Sequence, residues 1–325
     1  MSLKSIEVEH LSKVYGSTVA IEDIHFSVDA GEIIGFLGPN GAGKTTTMRI
    51  LAGYLTATTG TAKIAGYDVH LHSMQVRRHI GYLPEKPPLY LDMSVKQYLH
   101  FVSKIKGIRS GDRQRKVYNA MVRCQLIERE NTLIRKLSKG YKQRVGIAQA
   151  IVHEPPVIIL DEPTVGLDPR QIIEVRNLIK SLAGEHTIIL STHILPEASM
   201  VCDRVTIVNR GKVVTTDTPK GLQAQLEISS GYEVDVSGDI EKIMPLLTEI
   251  LGVVQVTIAK SSTIDRSEYY LLKITCKSMA KVGKSIAKLI VSQGLELHEL
   301  RRTRPSLEDV FLELTTEESL PINNQ

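Results

Sequence analysis

The chain opens on short alternation. Ile6-Glu7-Val8-Glu9-His10 and Ala20-Ile21-Glu22-Asp23-Ile24-His25-Phe26-Ser27-Val28 place apolar and polar residues at a period of two. That spacing predicts half-buried antiparallel strands, with Tyr15-Gly16 at the turn between them. Farther on, continuous apolar runs replace the alternation. Val157-Ile158-Ile159-Leu160 and Thr187-Ile188-Ile189-Leu190-Ser191-Thr192-His193 read as strands buried on both faces, the pattern of a parallel sheet. Ile33-Ile34-Gly35-Phe36-Leu37 supplies a further strand. Val95, Tyr98, Leu99, Val102 and Ile105 recur at helical spacing within the stretch from Ser94 to Arg129. A second helix opens at Leu137-Ser138-Lys139-Gly140-Tyr141 and runs to Ala150, and a third covers Ile172 to Ala183. Glycine and proline bound short strands at Gly60 to Gly66 and Ile80 to Glu85. Val205 to Val208 and Lys212 to Thr215 flank Asn209-Arg210-Gly211 as a hairpin.

The remainder changes style again. Tyr232 to Val236 reads as strand, Ile240 to Leu251 as helix, Val253 to Ile258 and Tyr269 to Thr275 as strands, Met279 to Gln293 as helix, and Leu295 to Leu300 as a last strand. This order, βαββαβ, is that of a ferredoxin-like unit. Ser306 to Leu314 follows as a capped amphipathic helix, and a frayed tail is expected over 317–325.

Bulk properties narrow the class. A chain of 325 residues suggests two domains, with a boundary at Ser229-Ser230-Gly231. The expected division is 1–228, with a helical subdomain over about 87–150, then 229–316 and the tail. A hydrophobic fraction of 42% and a charged fraction of 23% are ordinary for a soluble protein. The formal net charge of +4 is too small to argue for nucleic acid. No apolar run approaches the ~20 residues of a membrane helix, and the N-terminus lacks a signal-peptide core. Cys124, Cys202 and Cys276 offer neither metal spacing nor a disulfide framework, which points to a reducing cytosol. The basic residues from Lys96 to Lys116 read as a solvated helix face, with a patch facing lipid headgroups as the alternative.

The chemistry concentrates where the strand at 33–37 ends. Gly38-Pro39-Asn40-Gly41-Ala42-Gly43-Lys44-Thr45 is G-x-x-x-x-G-K-T between a strand and a helix that begins near Lys44 and continues through Thr46-Thr47-Met48. Its glycines let the backbone wrap an anion with several N–H groups pointing inward. The helix adds its positive dipole end. Lys44 can reach β- and γ-phosphates, and the Thr45 hydroxyl can hold Mg²⁺. A chance match in a chain this long has odds of roughly one in a hundred. The stretch is a nucleoside triphosphate site. Asp161-Glu162 ends a core strand, where ligands bind in open α/β sheets, and His193 ends another. Tyr15 is either turn packing or an aromatic face for a base.

Residues up to about 228 resemble the ATP-binding subunit of an ABC transporter. The loop at 38–45 matches its Walker A element, and Ile158-Ile159-Leu160-Asp161-Glu162 its Walker B element. Val165-Gly166-Leu167-Asp168 looks like the D-loop, His193 like the switch histidine, and Leu137-Ser138-Lys139-Gly140-Tyr141 like the signature LSGGQ. Tyr15 falls where the family places its adenine-stacking aromatic. Two departures stand out. The signature carries Lys139 and Tyr141 where glycine and glutamine are usual, and Glu85 in Leu83-Pro84-Glu85 occupies the Q-loop glutamine position. Lys139 can add charge near phosphate or face solvent. These variants, with Leu307-Glu308-Asp309-Val310-Phe311, look like the branch containing exporter ATPases for drugs, sodium ions and gliding motility.

The resemblance implies a P-loop NTPase core of α/β class with an N-terminal antiparallel β subdomain, a helical subdomain and a small C-terminal α+β domain. It implies Mg²⁺-dependent hydrolysis of ATP: Lys44 and the 38–45 loop, with Thr46, on the phosphates, and Thr45, Asp161 and Glu85 toward the metal. Glu162 would act as general base and His193 as γ-phosphate sensor. Ser138, Gly140 and Asp168 would complete the site of a second copy or homologous subunit in a head-to-tail dimer. An integral-membrane permease subunit would dock around the proline-rich stretch from Glu85 to Asp92, placing the chain on the cytoplasmic face of the plasma membrane. A soluble ABC-type ATPase acting on ribosomes or DNA is the alternative, although such proteins carry two fused cassettes or a coiled-coil insertion. The C-terminal unit could bind a small ligand, stabilise the dimer or buttress the fold.

Overall fold

The computed structural model describes residues 4–225, 231–264, 267–276 and 282–303. The chain forms two compact units, Met1–Pro219 and Lys220–Gln325. The boundary expected at Ser229-Ser230, the helix over Ser306 to Leu314 and the tail at 317–325 lie outside the described residues.

The first unit begins with β1 (Lys4–Tyr15) and β2 (Thr18–Asp29). They pair antiparallel from Lys4↔Asp29 to Tyr15↔Thr18, and Gly16 takes the turn at φ 58°. Next come β3 (Ile33–Leu37), α1 (Lys44–Leu51), β4 (Thr59–Ile64), β5 (Tyr67–Asp68), α2 (Ser73–His79) and β6 (Ile80–Leu83). The helical stretch from Ser94 divides into α3 (Val95–Ile105) and α4 (Ser110–Arg123). A capping box between Ser94 and Gln97 starts α3. Gly107 then enters the left-handed region at φ 74° and ends it, a break that apolar spacing alone does not reveal. α5 (Lys139–Ile151), β7 (Val157–Asp161), α6 (Pro169–Ser181), β8 (Thr187–Thr192), α7 (Leu195–Val201), β9 (Arg204–Asn209) and β10 (Lys212–Asp217) follow, and α8 (Pro219–Gln225) begins at the last residue of this unit.

Two sheets result. The small one has order β2-β1-β4-β5; the large one has order β10-β9-β3-β8-β7-β6. The large sheet is parallel except for its β10 edge. Every residue of β3, β7 and β8 is buried, which is why those segments show no alternation. One apolar core joins the sheets: Ile21, Ile24 and Val28 of β2 cluster with Phe36, Met48 and Ile159. Each such side chain contributes about 1.5–3 kcal/mol on burial. This core fixes the C-terminal ends of β3, β7 and β8 side by side.

The second unit comprises β11 (Gly231–Ser237), α9 (Ile243–Thr248), β12 (Val253–Ile264), β13 (Ser267–Cys276), α10 (Gly283–Ser292) and β14 (Glu296–Thr303). Its antiparallel sheet has order β12-β13-β11-β14, the ferredoxin-like arrangement the element order predicts. Val234, Val236, Leu272 and Ile274 pack with Ile286 and Ile290 of α10. The expected helix over Ile240 to Leu251 is shorter in the structure, because Pro245 lacks a donor and fits only the first turn.

Candidate active site

The phosphate loop is held on both sides. A Cβ built at Gly38 would come within 2.3 Å of the Val208 carbonyl oxygen, and one at Gly43 within 2.5 Å of Ile21 Cγ2. Gly43 also adopts φ 98°, which L side chains avoid, just before α1 begins. The turn of the β9–β10 hairpin closes the back of the loop: the Gly211 N–H donates to Ala42 O at 3.2 Å, and Gly211 O accepts from Glu22 N at 2.8 Å. Sequence reading makes these residues glycine for the anion; the structure adds that they have no room for a side chain.

Lys44 is buried, 6% exposed. Its Nζ donates to Gly38 O at 2.7 Å and Pro39 O at 3.2 Å, and lies 3.4 Å from Glu162 Oε1. Thr45 Oγ1 donates to Asp161 Oδ1 at 3.3 Å. Ser191, at the end of β8 and paired with Asp161 in register, donates its hydroxyl to Asp161 Oδ1 at 2.6 Å and accepts from the Glu162 N–H at 2.9 Å. Ser191 is the site residue that sequence reasoning missed. Its only signal is a polar residue at the end of a buried apolar run.

Glu162 sits at φ 49°, a left-handed conformation costing about 1–3 kcal/mol in a residue other than glycine. The strain turns its carboxylate out of β7 toward the cavity, where His193 Nδ1 meets Oε2 at 2.9 Å. An ionised carboxylate only accepts, so Nδ1 carries the proton and Nε2 remains for another partner. Burial pushes the Asp161 carboxyl above the usual carboxylate range, partly offset by the Ser191 and Thr45 hydrogen bonds and reinforced by the charges of Glu162 and Glu85.

A cavity of about 490 Å³ gathers the phosphate loop, Lys44, Thr45, Glu85, Glu162 and His193. Tyr15 does not line it. It stands 46% exposed at the β1–β2 turn, with the Lys13 ammonium 5.2 Å from its ring centroid. Ser138, Gly140 and Asp168 line a different cavity, of about 570 Å³, together with Tyr141, Arg144 and Gln171. Ser138 caps α5 by accepting from Tyr141 N at 3.4 Å; Asp168 caps α6 by accepting from Gln171 N at 2.9 Å. Arg129 and Arg144 flank the Tyr141 ring at 5.6 and 5.5 Å. The smaller cavity carries the glycine-rich loop and the buried Lys44; the larger one is lined by neither.

A family model described as "ABC transporter" matches residues 21–165. The YhcH protein of Bacillus subtilis, an uncharacterized ABC transporter ATP-binding protein, is 31% identical over 319 residues, covering 96% of each chain. The chain belongs to the ATP-binding proteins of ABC transporters. A bacitracin transport ATP-binding protein, BcrA of Bacillus licheniformis, is 32% identical over 311 residues, covering 95% of this chain and 96% of its own. Among solved structures, cbiO1 from Clostridium perfringens, part of the ABC transporter complex cbiONQ, is 28% identical with a TM-score of 0.63, over 76% of this chain and 96% of its own. As an ABC transporter ATP-binding subunit, this chain binds and hydrolyses ATP. No helix among the described residues is long and apolar enough to cross a membrane.

Proposed function

We propose that this ABC ATP-binding subunit couples Mg²⁺-dependent ATP hydrolysis to export of a substrate by a separate membrane subunit. The observation that carries the reading is Glu162, held out of β7 between His193 Nδ1 and Lys44 Nζ. A water beside the γ-phosphate there finds a carboxylate fixed for proton abstraction. Developing charge on the phosphoryl oxygens meets Lys44 and the loop amides, which need no rearrangement to stabilise it. His193, tied to Glu162 through one ring nitrogen, offers the other to the γ-phosphate and so reports whether a triphosphate is bound.

The donor set suits a magnesium ion. Asp161 is 1% exposed and its Oδ2 has no hydrogen-bond partner, a costly arrangement that a cation relieves. Thr45 and Asp161 would hold it, with Glu85 nearby in the same cavity. Bound there, the ion would neutralise phosphate charge.

The signature residues line their own cavity, which supports a head-to-tail pair in which each chain lends Ser138, Gly140 and Asp168 to the other's nucleotide. ATP would draw the pair together and hydrolysis release it. Kinship with a protein named for bacitracin transport supports a transport role, and the exporter-like sequence at 307–311 supports its direction. The test is Glu162→Gln. ATP binding should persist while turnover falls ~10²–10⁴-fold, the range for a general base. Turnover at the wild-type rate would refute the assignment.

A further inference from the structure

The strained turn at Glu162 is held from a second side. Thr164, two residues on and 7% exposed, donates its hydroxyl to Glu197 Oε2 at 2.6 Å. Glu197 stands in the first turn of α7, on the segment that carries His193 out of β8. The turn after β7 and the segment after β8 are therefore joined twice. One join is His193 Nδ1 with Glu162 Oε2 at 2.9 Å, between side chains that line the phosphate cavity. The other, Thr164 with Glu197, lies outside that cavity.

Glu197 is a fixed post. Leu195, Ala198 and Val201 sink α7 into the core. The helix lies so close over β3 that a Cβ built at Gly35 would stand 3.0 Å from Cys202 Sγ and 3.4 Å from Ala198 Cβ. His193 has no comparable anchor: its side chain is 39% exposed, and Ile194 beside it is exposed as well. The Glu162 backbone is pinned on its N–H by Ser191 Oγ at 2.9 Å, and its carbonyl accepts from the Val165 N–H at 3.2 Å. A left-handed glutamate persists only where surrounding contacts over-determine it. Released at Thr164, the turn can relax toward an ordinary φ and carry the carboxylate off the histidine.

We propose that Glu197 is a positioning residue: by holding Thr164 it keeps the turn after β7 wound, so that the Glu162 carboxylate stays on His193 Nδ1. The proposal rests on the reading of Glu162 as general base. What Thr164 requires is an acceptor oxygen at that place, so an amide can stand in for the carboxylate.

The experiment measures kcat and KM for ATP hydrolysis by the full chain, with the melting temperature alongside. Glu197→Ala should lower kcat ~10-fold, the scale of one hydrogen bond to a charged group, and leave KM within ~2-fold. Thr164→Val, similar in shape but without the donor, should do the same, and the double variant should be no worse than either single one. Glu197→Gln and Thr164→Ser, which keep acceptor and donor, should stay within ~3-fold of wild type. In a His193→Ala background, Glu197→Ala should subtract less than ~2-fold, since the bond it protects is already gone. A further ~10-fold loss in that background, with a lowered melting temperature, would mean that Glu197 serves stability alone and would overturn the proposal. Wild-type kcat in Glu197→Ala and Thr164→Val, beside a Glu162→Gln that has lost turnover, overturns the positioning role and leaves the general base in place. Wild-type turnover in Glu162→Gln removes both. Should Glu197→Ala fail to fold, Thr164→Val decides.

Discussion

The two cavities of the ATPase unit are built on opposite terms. Around the phosphate loop the functional side chains are interior: Lys44, Asp161 and Glu162 are each less than a tenth exposed. Their positions are set by carbonyls, Ser191 and the backbone of three parallel strands. Around Ser138 and Asp168 the groups are helix starts and exposed side chains on a surface. The first arrangement is preorganised for chemistry before any ligand arrives. The second is a surface made of two helix starts, Ser138 at α5 and Asp168 at α6. On the two-chain reading proposed above, one chain carries the reacting groups and its partner supplies the closure.

This contrast can be broken or sharpened by measurement. Replacing Lys44 by Met removes the buried cation from the loop and leaves Glu162 without its ion-pair partner. Affinity for ATP, read by titration with a fluorescent analogue, should fall ~10²-fold or more, since several charged hydrogen bonds to phosphate go with it. Ser138→Ala should instead leave the affinity of dilute chains unchanged and lower hydrolysis ~10-fold, the scale of one lost charged hydrogen bond. A matching loss of single-chain affinity in Ser138→Ala would erase the distinction between the cavities.

Asp161 separates stability from activity. Its carboxyl titrates above its unfolded value because it is buried, so the folded state holds its proton more tightly than the unfolded state. In a chelator its contribution is greatest below the unfolded value. It diminishes as pH rises through the interval up to the raised one. Asp161→Asn should flatten that segment of the melting-temperature profile and stabilise the metal-free chain by ~1 kcal/mol at neutral pH, while hydrolysis is lost. Tyr15→Ala should have the smallest effect, less than ~3-fold on ATP affinity, an exposed aromatic contact being worth under about 1 kcal/mol. A larger loss would mean that the exposed turn folds over the base when nucleotide binds.

What was legible in the sequence tracks how local each constraint is. The phosphate loop is contiguous, and its glycines are demanded within a few residues of one another. Asp161-Glu162 ends an apolar run whose length and branching announce a core strand. The order βαββαβ suffices to give the C-terminal sheet, because few arrangements bury both helices on one face. Ser191 could not be assigned, since its bond to Asp161 depends on two strands 30 residues apart in sequence lying in register. The break at Gly107 escaped for a different reason: a glycine within a periodic stretch is tolerated or terminal according to its φ, which composition does not encode. The separation of Ser138 from the loop cavity is tertiary. No local pattern carries it.

The contacts of Gly211 have a practical consequence for anyone who handles this protein. A tight turn between two strands invites a reporter, a tag or a permuted terminus. Here the turn is a backstop, wedged between strand β2 and the loop that grips the phosphates. A foreign segment placed at 209–211 would blunt nucleotide binding from behind, without touching a single residue that meets ATP.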